Sequence, residues 1–175
     1  MSLTIKRAEA GSLSRHILAD LRSLCHEAYG EDVAGCFGDI GPGVHLLGWQ
    51  GSALVSHVMW VRRTLYPARL APLESAYVEL VATRVAEQRR GFATELMRRL
   101  AHEIRSYALG ALSPSDPAFY GRLGWEMWRG ALFVRTARGA EATPNESVMV
   151  LRLPASPALD LTAPLSVDWR PGEVW

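Results

Sequence analysis

The feature that most limits what this chain can fold into is the passage Tyr77-Val78-Glu79-Leu80-Val81-Ala82-Thr83-Arg84-Val85-Ala86-Glu87-Gln88-Arg89-Arg90-Gly91-Phe92-Ala93-Thr94. An apolar strand runs into a short polar break, and the break opens a helix. Phe92, Leu96, Met97, Leu100, Ala101 and Ile104 make one face of that helix, with Glu95, Arg98, Arg99, His102 and Arg105 opposite. The first amides of a helix have no partner within it, and the positive end of the macrodipole lies behind them. The Gln88-x-x-Gly91-x-Ala93 loop therefore offers a rim of donors suited to a pyrophosphate, and small residues at 91 and 93 let phosphates approach the backbone. On these six positions alone, a helix start that merely contains glycine stays open. The dinucleotide fingerprint and the P-loop both need glycines that this segment lacks.

Around that passage the hydrophobic period switches repeatedly, as it does in a layered α/β or α+β domain. Leu3 to Ala8 reads as a strand, and Ser12 or Ser14 caps a helix that ends near Tyr29-Gly30. Glu31 to Gly43, rich in glycine, reads as an irregular loop. Val44 to Trp49 and Leu54 to Thr64 read as antiparallel strands joined across Gly51-Ser52, with a further strand at Ala76 to Thr83. Beyond the helix come a strand at Ala108 to Leu112, a short helix at Pro117 to Leu123 and a strand at Trp125 to Phe133. Arg135 to Asn145 reads as a loop, Ser147 to Leu153 as the last strand, and Pro154 to Trp175 as a proline-spaced tail.

A chain of 175 residues is long enough for one filled core, which predicts a single domain over 1–175 with one active site. Nineteen basic against 18 acidic residues leave a net charge of +1, too weak a field to hold nucleic acid or an anionic membrane. The start has no apolar signal segment, and no apolar run reaches the roughly 18 residues of a membrane span. A cytoplasmic protein with Cys25 and Cys36 as reduced thiols is the expectation. His26, His45, His57 and His102 form no metal spacing with either cysteine, so no metal is implied. Cys25 falls on the apolar face of a helix and reads as core, as do Trp49, Trp60 and Trp128 in or beside strands.

The strand, loop and helix resemble the acetyl-coenzyme A pyrophosphate loop of the GNAT superfamily of N-acetyltransferases. A second block strengthens this: Leu109-Gly110-Ala111-Leu112-Ser113 followed by Phe119-Tyr120-Gly121-Arg122-Leu123-Gly124-Trp125 resembles the GNAT segment that carries a tyrosine on a short helix. The resemblance implies an α/β (α+β) fold with a central mixed, mostly antiparallel twisted sheet and helices on both faces. It implies acetyl-CoA as co-substrate on Val81, Ala82, Thr83, Gln88, Arg89, Arg90, Gly91, Phe92, Ala93 and Thr94, in a splayed groove beside the strand. It also implies that Glu79 takes the amine proton through water, and that Val81, at a bulge, turns its N–H to the thioester carbonyl. Tyr120 would stand beside the sulfur as proton donor to a thiolate whose conjugate acid lies at about 8.5.

The segment Asp168-Trp169-Arg170-Pro171-Gly172-Glu173-Val174-Trp175 resembles the terminus of the aminoglycoside 2′-N-acetyltransferases. In that family the terminal carboxylate meets the cationic antibiotic, which here implies roles for Glu173 and Trp175. Asp32, Ser113 and Glu146 match further substrate-contacting positions, while a second aspartate expected about five residues after Asp32 is missing, with Cys36 and Phe37 in its place. Asp39 substitutes only if the loop takes another path. The block between Ser113 and Tyr120 is short and stiffened by Pro114 and Pro117. A less anionic pocket points to a less highly charged aminoglycoside, and the chain resembles the branch that acetylates kasugamycin. Two alternatives stay open: a GNAT enzyme acting on another polyamine or a protein N-terminus, and a non-catalytic acetyl-CoA-binding module. The sequence does not fix an oligomeric state; a homodimer is carried as an expectation.

Overall fold

The computed structural model describes residues 3–30 and 39–175. Two compact units are formed, Met1–Val61 with Val78–His102 and Arg62–Tyr77 with Glu103–Trp175.

In the first unit β1 (Thr4–Glu9) pairs antiparallel with β2 (Val44–Gln50), and β2 pairs antiparallel with β3 (Ala53–Pro67), the register shifting at Gly48/Trp49. β4 (Leu73–Thr83) neighbours β3 in the same sheet. The helix α1 (Arg15–Tyr29) is delimited as its sequence requires. Ser14 Oγ accepts the Ile17 N–H at the N-cap, and Gly30 closes the helix with φ +72°. Such a cap contributes about 1 kcal/mol. α1 buries Leu21, Leu24 and Cys25 against Leu47 of β2, Leu54 of β3 and Ala82 of β4. Each fully buried leucine adds about 1.5–3 kcal/mol. The helix that follows β4, α2 (Phe92–Glu103), buries Phe92, Leu96, Met97 and Leu100, the apolar face that the sequence predicts.

In the second unit β5 (Leu109–Leu112) pairs parallel with β4 over Ser75 to Tyr77 and antiparallel with β9 (Met149–Arg152), which also carries β6 (Glu126–Met127). The helix α3 (Pro117–Gly121) lies between β5 and β6. On the far side of the β3/β4 hairpin, β10 (Leu165–Asp168) pairs antiparallel with β3 and parallel with β7 (Leu132–Thr136). β7 turns back into β8 (Gly139–Ala142). The fold is thus mixed α/β, with a mostly antiparallel sheet and parallel pairs at β4/β5 and β7/β10.

Three sequence expectations need correction. Trp125 to Phe133 is not one strand but β6 and the start of β7, separated by a crossing in which Arg129 and Gly130 donate their amides to Leu161 O. A Cβ at Gly130 would lie 1.9 Å from the Ala163 carbonyl oxygen, so only glycine allows that close approach. Arg135 to Asn145 is not a loop throughout, because Phe133 to Thr136 pair with Gly139 to Ala142 as a hairpin. Nor is Ser147 to Leu153 the last strand, because the tail after it holds one more. The Leu165–Asp168 stretch is β10, and alternation over so few residues is a weak signal that a partner on each side makes decisive.

Candidate active site

In the first unit, the chain between β4 and α2 turns tightly before the helix begins. After Thr83 come a 3-10 turn at Val85–Glu87, Arg89 at φ +62° and Gly91 at φ +85°. A Cβ at Gly91 would meet nothing within 4 Å, so glycine is needed there for its backbone angle and not for space. The first bond into α2 runs from Glu95 N–H to Gly91 O at 3.0 Å. The amides of Phe92, Ala93 and Thr94 therefore have no acceptor inside the helix. These residues fit the diphosphate of a coenzyme by donor chemistry: a row of amides beside an open, left-handed glycine.

Several side chains brace this loop from within the same unit. Glu27 of α1 accepts from Arg84 Nη1 at 2.8 Å and from the Val85 amide at 2.8 Å, and Arg84 Nε donates to Leu54 O at 2.8 Å. Gln88 Nε2 donates back to Thr83 O at 3.2 Å, which makes Gln88 a loop-closing residue. Arg90 pairs with Glu87 and sits 5.0 Å over the Phe92 ring, while Arg89 is exposed. Sequence reasoning missed Glu27, because a glutamate on an exposed helix face carries no mark of the strand end it caps.

The stretch leading to the loop is kinked. Leu80 has φ +50°, a conformation costing an L-residue roughly 1–2 kcal/mol. The left-handed residue is thus one place before Val81. Three successive carbonyls at the kink take side-chain donors: Leu80 O from His57 Nδ1 at 3.0 Å, Val81 O from the Tyr29 hydroxyl at 3.1 Å, and Ala82 O from Ser56 Oγ at 3.1 Å. Ser56 Oγ also lies 2.7 Å from Thr83 Oγ1. Glu79 is half-buried on β4, next to the kink.

In the second unit, Tyr120 stands on α3. Asp116 caps this helix by accepting the Phe119 amide at 3.1 Å, and Pro117 begins it with the φ a first turn requires. The Tyr120 ring is buried and meets Trp125 edge-on, with ring centroids 6.3 Å apart. Burial pushes its phenol up to about 12; a hydrogen bond with Ser115 acts the other way, and the Asp116 charge raises it further. Tyr120 is therefore protonated at any physiological pH. Full transfer to an ordinary thiolate is uphill, so the phenol acts best on a thiolate whose own basicity is raised by the same exclusion of water.

Ser113 is exposed at the end of β5. Glu146 is exposed in a turn closed by its amide on Thr143 O at 3.2 Å, and Thr143 Oγ1 accepts the Trp175 indole N–H at 2.9 Å. Thr143 thereby joins the Glu146 turn to the final segment. That segment is held by Arg63, which donates to Val174 O and, at 2.7 Å, to Asp168 O. Arg170 Nε donates to Glu173 O at 2.7 Å, and the Glu173 side chain is exposed. Trp175 is 3% exposed, whereas Trp169 is 59% exposed and is held by its backbone amide, which donates to Arg135 O at 3.0 Å. Asp32 and Cys36 lie outside the described residues, and Asp39 is exposed. Among the described residues no group of three or more His, Cys, Asp or Glu is placed to hold a metal ion, and no helix is long and apolar enough to cross a membrane.

The acetyltransferase (GNAT) domain family matches residues 40–128. The chain is 39% identical over 141 residues to the aminoglycoside 2′-N-acetyltransferase of Mycolicibacterium fortuitum, covering 76% of this chain and 71% of that protein. Among solved structures, the GNAT family N-acetyltransferase YhbS from Escherichia coli in complex with CoA matches with a TM-score of 0.61 at 15% identity, over 95% of this chain and 91% of that one. Eis1 from Mycobacterium abscessus matches with a TM-score of 0.60 at 18% identity over 74% of this chain, which spans about a third of Eis1, 32%. At these identities the two structures bear on the fold alone.

Fold and family together make the protein an acyltransferase. It belongs to the GNAT acetyltransferase family, and its relative in M. fortuitum is an aminoglycoside 2′-N-acetyltransferase.

Proposed function

We propose that this chain, acting as a single acetyltransferase domain over 1–175, moves an acetyl group from acetyl-CoA to the 2′-amine of an aminoglycoside, with kasugamycin as the leading substrate, and so confers resistance. The observation that carries the reading is the 39% identity to an aminoglycoside 2′-N-acetyltransferase across three quarters of the chain. The sequence departures after Asp32 and between Ser113 and Tyr120 favour an antibiotic with few amines.

Acetyl-CoA supplies the activated acyl group as a thioester. In this reading the amides from Arg89 to Thr94 bind its diphosphate, with Val81, Ala82 and Thr83 alongside. Glu79 removes a proton from the substrate ammonium through water, because only the free amine has a lone pair to attack with. The Val81 N–H donates to the carbonyl oxygen where negative charge develops. Tyr120 keeps its proton until the sulfur leaves and then donates to it. Asp32, Ser113, Glu146, Glu173 and Trp175 orient the antibiotic through its ammonium and hydroxyl groups. A homodimer in the cytoplasm is part of the same proposal.

The test is a thiol-release assay with acetyl-CoA over a panel of aminoglycosides that includes kasugamycin, beside calorimetry with coenzyme A. Turnover with a 2′-amine substrate and none with its 2′-hydroxyl analogue is the expected result. Coenzyme binding without thiol release for any member would make the chain a binding module. Turnover that prefers peptide N-termini would move it to another acceptor class.

A further inference from the structure

Two histidines that no catalytic role uses are buried together in the first unit. His45 of β2 is 2% exposed and His57 of β3 is fully buried. His45 Nδ1 lies 2.9 Å from His57 Nε2, the rings stand 5.2 Å apart at 30°, and His57 Nδ1 lies 3.0 Å from Leu80 O. A carbonyl only accepts, so His57 must carry its proton on Nδ1. Its Nε2 is then the acceptor, and His45 must donate from Nδ1. One arrangement of protons satisfies the whole chain: His45 donates to His57, and His57 donates to Leu80. Burial lowers both pKa values, that of His57 to about 3 with further help from His45, so both rings are neutral and the order of donors is fixed.

The end of this chain is the peptide unit that the proposed function uses. Leu80 C=O and Val81 N–H belong to one planar trans amide and point in opposite directions. A donor that holds the carbonyl toward the buried histidines therefore turns the Val81 N–H away from them. Drawing electron density to the carbonyl oxygen also makes that N–H a stronger donor, since hydrogen bonds in series polarise one another. Leu80 needs such a restraint, because its φ of +50° is unfavourable for a leucine and would relax without one.

We propose that His57, backed by His45, is a positioning residue that holds and polarises the Leu80–Val81 peptide so that the Val81 N–H is preset for the acyl carbonyl. This rests on the assignment of that N–H in the proposed function. A Ser56 or Tyr29 contact cannot substitute, since those side chains hold the next two carbonyls and not this one.

The decisive experiment uses acetyl-CoA labelled with carbon-13 at the thioester carbonyl, bound to the protein without an amine. In the wild type its resonance should move downfield on binding. In His57→Phe, which keeps a ring but loses the donor, most of that movement should vanish and kcat should fall by about tenfold or more, with the KM for acetyl-CoA changed far less. His57→Asn, whose amide nitrogen can occupy the Nδ1 position, should restore most of both. If His57→Phe keeps the wild-type carbonyl shift and kcat, the inference is overturned while the Val81 assignment stands. If the wild type itself gives no shift, the Val81 assignment fails and takes the inference with it. Should His57→Phe not fold, long-range nitrogen-15 couplings in the wild type decide: a proton on His57 Nδ1 supports the relay, and one on Nε2 overturns it.

Discussion

Glu27 of α1 receives the Val85 backbone amide at 2.8 Å on one carboxylate oxygen while its other oxygen holds Arg84 at 2.8 Å. The contact ties a helix to the point where β4 gives way to the loop before α2, so it fixes where the rim of amides starts. Its side chains are 27% and 37% exposed, and solvent screening limits the ion pair itself to about 1 kcal/mol or less. Glu27→Ala should lower the melting temperature by about 2–4 °C. Calorimetry should show coenzyme A binding weakened roughly fivefold, equivalent to about 1 kcal/mol. Unchanged affinity would mean that the loop holds its shape without this brace.

Tyr120 has its phenol raised to about 12 by burial. Tyr120→Phe keeps the packing against Trp125 and removes the proton, so kcat should fall by about a hundredfold with coenzyme affinity unchanged. The wild-type rate should also show no loss from phenol ionisation up to pH of about 10, the ordinary tyrosine value. Because the folded value is the higher one, the stability that Tyr120 contributes is complete below about 10 and is lost as pH climbs toward about 12. Stopped-flow rates and alkaline denaturation of both proteins test the two statements. A turnover equal to wild type across the pH range would remove Tyr120 from the chemistry.

The elements that the sequence makes legible are those whose signals are local. Gly30 marks the end of α1 and Gly91 the entry to α2, while Ser12 and Ser14 both offer a cap at the start of α1 and the structure uses Ser14, because caps and left-handed positions are set by neighbouring atoms. The apolar face of α2 is legible because helical periodicity depends only on the helix itself. β10 and the β7/β8 hairpin are not, since strands of four or five residues owe their existence to partners distant in sequence. The same reason hides the relay: His45 and His57 read as two unrelated histidines until β2 and β3 pair and bring Nδ1 of one to Nε2 of the other. Glu79, Val81 and Tyr120 come from resemblance, and no spacing rule alone would single them out.

Trp175 is buried, and its indole N–H is spent on Thr143 Oγ1 at 2.9 Å. Trp175→Ala should cost about 3–5 kcal/mol, the range for emptying a buried aromatic site. Thr143→Val, which keeps shape and removes the acceptor, should cost about 1–3 kcal/mol because it leaves the indole donor buried without a partner. Urea unfolding gives both values. If the Glu146 turn and the final segment serve one acceptor site, Thr143→Val should also raise the KM for the antibiotic while leaving that for acetyl-CoA alone. Equal changes in both constants would argue for a purely structural joint.

Acid stability should depend on the buried histidine pair. His57 is held neutral with a folded value of about 3, against an ordinary value of 6.5, chiefly by burial and secondarily by His45; Glu9 opposes the shift of His45, which is also downward. The unfolded chain therefore binds a proton that the folded one refuses. The stability at stake is fully present above about 6.5 and drains away as pH falls toward about 3. Side-chain carboxylates ordinarily titrate at about 4 and add their own losses, so the informative window lies above that value. Urea midpoints measured between pH of about 7.5 and about 4.5 should fall steadily for the wild type. For His57→Asn, which cannot take up that proton, the same curve should be flatter even if it starts lower. Parallel curves for the two proteins would show that His57 is hydrated and titrates freely, and a hydrated ring could not keep the single order of protons on which the Leu80 contact depends.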